Sequence, residues 1–179
     1  YIFCDSVFVQ FLFFIYNKKI PNKSPGPDVS KLLIDDIILN NLGMTIFGGN
    51  KNVMTSELKK KEFNNFQIID PGLIDFNNIE NCKEAKKILK SKNKFNFIAI
   101  STPKQEVIAS HYFKHFSNSI FIPVGAAINF YFNLEKRAPL IFRKLGIEFL
   151  WRSFFAPRKM WKRSIYSLYK IISIGIFKK

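Results

Sequence analysis

Short apolar runs alternate with longer amphipathic segments through the middle of the chain. The short runs have the length of strands buried on both faces, and the longer segments repeat their apolar residues at helical spacing. This alternation predicts βα units around a parallel sheet. We therefore expect an α/β protein with a Rossmann-like, mostly parallel sheet flanked by helices. The predicted strands are 44–48, 66–70, 95–101 and 119–124, and the predicted helices between them are 55–63, 78–90 and 103–116.

The alternation ends after the fourth predicted strand. The segment 140–155 has the apolar spacing of an amphipathic helix, and Pro157 interrupts it. Basic and aromatic residues then interleave to the end of the chain. We predict a Rossmann-like domain over residues 1–138 and a C-terminal basic helical appendage over residues 139–179.

An apolar run, residues 1–16, opens the chain without an initiating Met. The run contains Asp5, has no basic segment before it and is shorter than the roughly 20 residues that cross a bilayer. We therefore expect a buried strand and helix here instead of a signal peptide or a membrane span. Because a natural start rarely looks like this, we also expect the sequence to be part of a longer protein.

Composition and charge narrow the classes of protein. With 47% hydrophobic residues and 21 Phe, the chain has enough apolar surface to fold, which excludes a disordered protein. The net charge is +15, and the segment from Lys136 onward holds twelve Lys and Arg residues against one acid, Glu148. Such a basic segment implies a polyanionic partner: a nucleic acid, an anionic lipid surface or a diphosphate. Charge alone does not choose among them.

The aromatic residues of this basic segment favour a membrane surface. Trp161 and Tyr166 stand among Lys159, Lys162 and Arg163, which is the composition of a helix lying in the lipid headgroup region. At about 1 kcal/mol per basic residue near an anionic surface, half of the cations would give reversible attachment. The alternatives are a solvated charged helix and a nucleic-acid-binding module, and nothing in the α/β part resembles a nucleic-acid reader.

The cysteines and histidines give no sign of a metal centre. Cys4 and Cys82 form neither a metal spacing nor a disulfide framework, which fits the reducing cytoplasm. His111 and His115 lie one helical turn apart, but no carboxylate or Cys completes a ligand set beside them. We therefore expect no metal and no cofactor.

Ligands of open α/β sheets bind at the carboxyl ends of the strands, so the loops after the third and fourth strands are the first place to look for a site. Residues 101–106 place polar side chains and free amides at a helix start, which suits a phosphate or a sugar hydroxyl. The alternative is an ordinary helix that begins with Pro103. Gly48-Gly49, after the first strand, is a weaker phosphate-loop signal.

Asp5 is a second candidate, because an unpaired charge in an apolar stretch is costly. Such a carboxylate could act as a general base with a raised pKa. Alternatively, Asp5 caps the helix that follows it.

Two motifs resemble one protein family. Residues 102–106, Thr-Pro-Lys-Gln-Glu, resemble the PKQE signature of the WecG/TagA/CpsF family, glycosyltransferase family 26. Residues 136–139 with 145–152 and 157–158 are similar to that family's "KRAP…LGLEWLYR…P" block, in the same order. Gly26 and Asp28 match its "AG.D" element before a helix, and Asp5 falls where the family has the aspartate of a "PDG" element.

The resemblance implies an inverting, metal-independent glycosyltransferase in bacterial cell-surface polysaccharide or teichoic acid synthesis. It would move an N-acetylmannosamine-type sugar from a UDP-sugar donor to a lipid acceptor, undecaprenyl-diphosphate-linked GlcNAc. The expected location is cytoplasmic, peripheral on the inner face of the cell membrane, with an anionic lipid surface and no nucleic acid as partner. The oligomeric state stays open.

By the same resemblance, Asp5 would deprotonate the attacking hydroxyl, and Gln105 would help to hold the sugar nucleotide or the acceptor. The basic set of the tail would reach over the active site to neutralise a diphosphate. The substrate-binding residues implied in this way are Lys23, Thr102, Lys104, Glu106, Gly125, Arg152, Lys159, Lys162 and Arg163.

Some residues depart from the family's pattern. Ser6 replaces a Gly, and Ala126-Ala127 occupies what is often a Gly-rich turn. Lysine stands for arginine at positions 23, 159 and 162, which keeps the charge but loses bidentate contact with phosphate. The family's first strands, which carry pocket residues, would precede Tyr1. These departures leave open a non-catalytic relative or a piece that is inactive alone.

Overall fold

The computed structural model describes residues 10, 13–15, 19, 21–22, 24–74, 83–116, 118–144, 148, 151, 154 and 169. The described residues up to Lys136 belong to one compact unit, and those from Arg137 onward belong to a second. The domain boundary expected after residue 138 stays a prediction. Among the described residues, no helix combines the length and the apolar character needed to span a bilayer.

The elements follow one another as alternating helices and strands. In chain order they are α1 (Gly26–Leu39), β1 (Met44–Gly48), α2 (Lys51–Lys60), β2 (Phe66–Ile69), α3 (Lys83–Lys86) continued by a 3₁₀ helix (Lys87–Lys90), β3 (Phe95–Ala99), α4 (Lys104–Phe113), β4 (Ile120–Pro123), α5 (Ala127–Tyr131) and, in the second unit, α6 (Leu140–Lys144).

The four described strands form one parallel sheet in the order β2-β1-β3-β4. Met44 lies opposite both Phe66 and Phe95, and Phe95 lies opposite Ile120, so the strands start at one edge of the sheet and end at the other. The expected α/β fold with a parallel sheet and flanking helices is confirmed. The appendage expected over 139–179 falls mostly outside the described residues.

Alternating strand residues point to two separate apolar cores, one on each face of the sheet. Helices α1, α2 and α5 cover the first face, whereas α4 and the 3₁₀ helix cover the second. The first core contains Met44, Ile46, Ile68 and Phe97 of the strands with Ile34, Ile37, Met54, Leu58 and Ile128 of the helices. The second contains Phe47, Ile69 and Ile98 with Ile88, Ile108 and Tyr112.

The direction of chain travel reverses next to β1. From β1 the chain passes to β2 on one side, and it then returns to place β3 and β4 on the other side. A right-handed crossover to one side of β1 places its helix on one face of the sheet, and a right-handed crossover to the other side places its helix on the opposite face. The carboxyl ends of β1 and β3 therefore form the switch point at which ligands of open α/β sheets bind.

Several predicted bounds shift for local reasons. Helix α2 begins at Lys51, four residues before the predicted start, because the Asn50 side chain caps it by accepting a hydrogen bond from the Val53 N–H at 3.2 Å. Gly26 and Asp28 lie in the first turn of α1 and not before it. Of the helix predicted over 78–90, the described part is residues 83–90, half of it 3₁₀. Of the helix predicted over 140–155, the described residues are 140–144, which form α6, and 148, 151 and 154, which are also helical; the others lie outside the described residues.

Polar side chains at the amino edge of the sheet bind the backbone around them. Asn93 Nδ2 donates to the Met44 carbonyl at 2.8 Å and to Thr45 Oγ1 at 3.0 Å. The hydroxyls of Thr45 and Ser91 bond to each other. Asn65 Nδ2 donates to the carbonyl of Asn41 at 3.0 Å. We call this group the amino-edge network.

Candidate active site at the carboxyl edge

Glycines bring the strand ends together at the switch point. Gly48, the last residue of β1, has φ +108°, and Gly49 has φ +76°. A Cβ atom on Gly48 would lie 2.5 Å from the carbonyl oxygen of Ala99, at the end of β3. Only glycine allows this approach in this conformation. The backbones at the ends of β1 and β3 therefore lie close together at the switch point.

The turn after β3 brings the side chains of Thr102, Gln105 and Glu106 into contact. The Ser101 carbonyl accepts hydrogen bonds from the amides of Lys104 at 3.0 Å and Gln105 at 3.4 Å, which starts α4 directly after the strand. The Thr102–Pro103 peptide bond is cis. Thr102, Gln105 and Glu106 then share a hydrogen-bond cluster, which we call the Gln105 cluster.

Both donors of the Gln105 amide are used inside this cluster. Gln105 Nε2 donates to Glu106 Oε1 at 2.8 Å and to Thr102 Oγ1 at 3.2 Å. The Thr102 hydroxyl in turn donates to Glu106 Oε1 at 3.4 Å. An ionised carboxylate only accepts hydrogen bonds, so Glu106 fixes which end of the Gln105 amide is nitrogen.

The amide oxygen of Gln105 is left for another partner. The side chain is 7% exposed, and its Oε1 has no hydrogen-bond partner among the described residues. A buried acceptor without a partner costs roughly 1–3 kcal/mol. At a binding site, a bound ligand removes this cost because it supplies the missing hydrogen-bond donor.

Gly125 keeps the space in front of that oxygen open. It follows β4 with φ +51°, and a Cβ there would lie 3.2 Å from Gln105 Oε1 and 3.5 Å from the Ile100 carbonyl. The Gly125 amide donates to the Ile98 carbonyl at 3.2 Å. Gly125 therefore acts through its missing side chain, since its N–H is already used within the sheet.

Lys104, the residue before Gln105, faces a different space. It lines an open depression of about 330 Å³ together with Ile100, Ser101 and residues 71–74 of the loop after β2. Because β1 lies between β2 and β3, this depression spans the end of β1. The loop after β2 is not among the predicted site segments, although Asp70-Pro71-Gly72 directly after a strand is a turn signal that could have indicated it.

The structure thus brings together five of the predicted site residues at two adjacent places on one edge. Thr102, Gln105 and Glu106 form the cluster that faces Gly125, and Lys104 lines the depression beside it. The other predicted site residues lie outside the described residues. They are Asp5, Lys23, Arg152, Lys159, Lys162 and Arg163.

A third polar cluster joins the helices that cover the first face. The Tyr131 hydroxyl donates to Asp35 Oδ1 at 2.7 Å, and Lys61 Nζ donates to the Tyr131 oxygen at 2.7 Å. Burial, the hydrogen bond to Asp35 and the charge of Asp35 raise the pKa of Tyr131 well above its ordinary value. The hydroxyl therefore stays protonated and links α1 to α5, which is a structural role.

The described residues contain no group of three or more His, Cys, Asp or Glu side chains placed to hold a metal ion. The rings of His111 and His115 do lie side by side, with centroids 5.4 Å apart.

Comparison with known proteins gives one consistent result. A family model described as "Glycosyl transferase WecG/TagA/CpsF family" matches residues 1–179. The chain is also 32% identical over 106 residues to two proteins of Staphylococcus aureus, from strains NCTC 8325 and MRSA252, both named N-acetylglucosaminyldiphosphoundecaprenol N-acetyl-beta-D-mannosaminyltransferase. Each match covers 59% of this chain and 37% of the relative.

Proposed function

This chain belongs to the WecG/TagA/CpsF family of glycosyltransferases, and on that basis we propose that it transfers an N-acetylmannosamine-type sugar from a UDP-sugar to an undecaprenyl-diphosphate-linked acceptor. The sugar and the lipid acceptor are suggested by the names of the S. aureus relatives. The proposed setting is the synthesis of teichoic acid or another cell-surface polysaccharide. The proposed place is the cytoplasmic face of the membrane, to which the basic appendage of residues 139–179 would attach the protein.

The observation that carries this proposal is the buried oxygen of Gln105 facing Gly125 at the switch point. A ligand group at that oxygen must be a donor, such as a sugar hydroxyl or the N–H of an acetamido group, because an amide oxygen repels phosphate oxygens. The Gln105 cluster therefore suits the sugar part of a substrate. We assign Gln105 to positioning that sugar, with Thr102 and Glu106 holding the amide in place.

In the proposed reaction, Asp5 removes the proton from the acceptor hydroxyl while that oxygen attacks the anomeric carbon. The bond from this carbon to the UDP oxygen breaks, and UDP leaves with the electron pair, so the anomeric configuration inverts. Cationic side chains stabilise the negative charge that develops on the diphosphate. The candidates for that role are Lys23, Lys104, Arg152, Lys159, Lys162 and Arg163.

The test is sugar transfer by the intact protein on vesicles that contain a GlcNAc-diphospholipid, with UDP-N-acetylmannosamine as donor and UDP release as readout. We expect Asp5→Asn to lower the transfer rate by about 10²–10⁴-fold, the range for loss of a general base. Asp36→Asn, an exposed acid on α1, is the matched control and keeps the wild-type rate. Absence of transfer from any UDP-N-acetylhexosamine by the wild-type protein contradicts the proposed function.

A further inference from the structure

Two histidines stand side by side at the end of α4, away from the candidate active site. His111 and His115 are one helical turn apart, and their ring centroids are 5.4 Å apart, with 55° between the ring planes. At a rise of about 1.5 Å per residue, His111 lies roughly 9 Å along the helix from Gln105, toward the amino edge of the sheet. These are the two His residues of the sequence, and the proposed reaction uses neither of them.

The backbone keeps both imidazoles on one face of the helix. Helix α4 ends at Phe113, but the His115 N–H still donates to the Tyr112 carbonyl at 3.0 Å, so the chain continues the turn in the tighter 3₁₀ form. Side chains four residues apart in such a turn are neighbours. The His111 ring packs edge-on against the buried ring of Tyr112, with centroids 4.9 Å apart, whereas His115 is exposed. One imidazole is therefore held in place, and the other is able to rotate toward it.

The separation of the two rings fits two ligands of one metal ion. With Zn–N bonds of about 2.1 Å in tetrahedral geometry, two imidazole rings on the same ion have centroids roughly 5 Å apart. Some zinc enzymes hold their metal with two His at this spacing on one helix. The carboxyl end of a helix carries partial negative charge, which also favours a cation there. The described residues add no third His, Cys, Asp or Glu to the pair, so water molecules would complete the coordination.

We propose that His111 and His115 together bind one divalent transition-metal ion, Zn²⁺ or Cu²⁺, at a surface site separate from the candidate active site. The bound ion links the last turns of α4 and thereby stabilises the helix that begins with the Gln105 cluster. Imidazole ligands bind Cu²⁺ more tightly than Zn²⁺, and Mg²⁺, which prefers oxygen ligands, does not compete for the site. The proposal goes beyond the proposed function and does not depend on which sugar or lipid the protein uses.

Calorimetric titration of the intact, untagged protein with Zn²⁺, after treatment with a chelator, tests this site. We expect one Zn²⁺ per chain, and we expect His111→Ala and His115→Ala each to weaken binding by about tenfold or more, since each removes one of two protein ligands. The matched variant is Phe113→His/His115→Phe, which keeps two His but places them two residues apart, where side chains do not face each other. Both exchanged positions are exposed, so the variant folds, and it binds Zn²⁺ as weakly as the single variants.

A thiol control and a stability measurement complete the test. Cys4 and Cys82 are the cysteines of the sequence, and Cys4→Ser/Cys82→Ser removes these soft ligands and keeps the wild-type Zn²⁺ affinity. Because an ion that binds the folded state stabilises it, Zn²⁺ raises the urea midpoint of the wild type and not that of Phe113→His/His115→Phe. Equal Zn²⁺ affinity in the wild type and this exchanged variant overturns the proposal, as does loss of binding in the Cys variant. Either result leaves the proposed function standing.

Discussion

The two edges of the sheet use amide side chains in opposite ways. At the amino edge, Asn93 Nδ2 donates to the backbone of β1 and to Thr45, and Asn65 donates to the Asn41 carbonyl. At the carboxyl edge, the partners of the Gln105 amide among the described residues are those of its own cluster, and its oxygen faces the space that Gly125 leaves open. The first arrangement fixes loops to strands, whereas the second leaves an oriented acceptor, which we propose binds a ligand.

Asn96 shows that a buried oxygen without a partner does not by itself make a binding site. Its Oδ1 also lacks a hydrogen-bond partner among the described residues, although Nδ2 donates to the Asn93 carbonyl at 3.1 Å. Asn96 lies inside β3, between strands on both sides. Gln105 differs because its oxygen meets a glycine at the switch point, beside a depression. Position at the strand ends, added to the unsatisfied acceptor, is what makes Gln105 the candidate.

Matched glycine substitutions give the largest expected contrast between the edges. Gly125→Ala places a methyl group 3.2 Å from Gln105 Oε1, and we expect kcat/KM to fall by about a hundredfold, as for other small displacements of a bound substrate. Gly43→Ala places a methyl group 2.4 Å from Asn93 Oδ1 in the amino-edge network, so it lowers stability and leaves kcat/KM of the folded protein unchanged. Urea unfolding and transfer kinetics measure the two effects. A loss of activity from Gly43→Ala equal to that from Gly125→Ala would remove the distinction.

Truncating the two amides sharpens the comparison. Gln105→Ala removes the oxygen that we propose accepts a hydrogen bond from the substrate, so we expect kcat/KM to fall by about ten- to a hundredfold, which corresponds to one lost hydrogen bond. Gln105→Ala changes the free energy of unfolding little, because the loss of the cluster's hydrogen bonds is offset by the removal of a buried oxygen without a partner. Asn93→Ala leaves kcat/KM unchanged and lowers the free energy of unfolding by roughly 2 kcal/mol, since buried partners lose their donor. A loss of kcat/KM from Asn93→Ala together with a loss of stability from Gln105→Ala would contradict this division.

The smallest expected effect concerns the Tyr131 cluster, which lies at neither edge. Folding raises the pKa of Tyr131, so its stabilising contribution is complete below the unfolded pKa of about 10 and declines as the pH rises above that value. Tyr131→Phe removes this titration, and stability then falls less steeply between about pH 9.5 and 11 than in the wild type. Urea midpoints across this range measure the difference. An identical pH dependence in both proteins would show that Tyr131 does not titrate differently on folding.

The sequence was sufficient to predict the strands, and it placed the candidate site at their carboxyl ends. Uninterrupted apolar runs such as residues 95–99 have few alternatives to a buried strand, and strand ends in a parallel sheet meet at one edge. The pattern therefore placed 101–106 and Gly125 correctly next to each other. The start of α2 was predicted too late because the cap made by Asn50 follows from backbone geometry that apolar spacing does not report.

The finer arrangement of the site could not be predicted from residue types. Lys104 and Gln105 are neighbours in one motif, yet the first turn of α4 sends their side chains to different spaces. The part played by Gly125 depends on a tertiary approach between the loops after β3 and β4, and the depression depends on the order β2-β1-β3. These relations between distant segments appear only once the sheet is assembled.

The contribution of Gln105 to transfer is tested most directly by a double-mutant cycle with Gly125, measured as kcat/KM of the intact protein. If Gly125 serves to keep the Gln105 oxygen accessible, Gly125→Ala has no further effect once Gln105→Ala has removed that oxygen, and the double variant is as active as Gln105→Ala alone. If the two losses instead multiply, each residue acts independently, and the Gln105 oxygen is not the group that Gly125 exposes to the substrate.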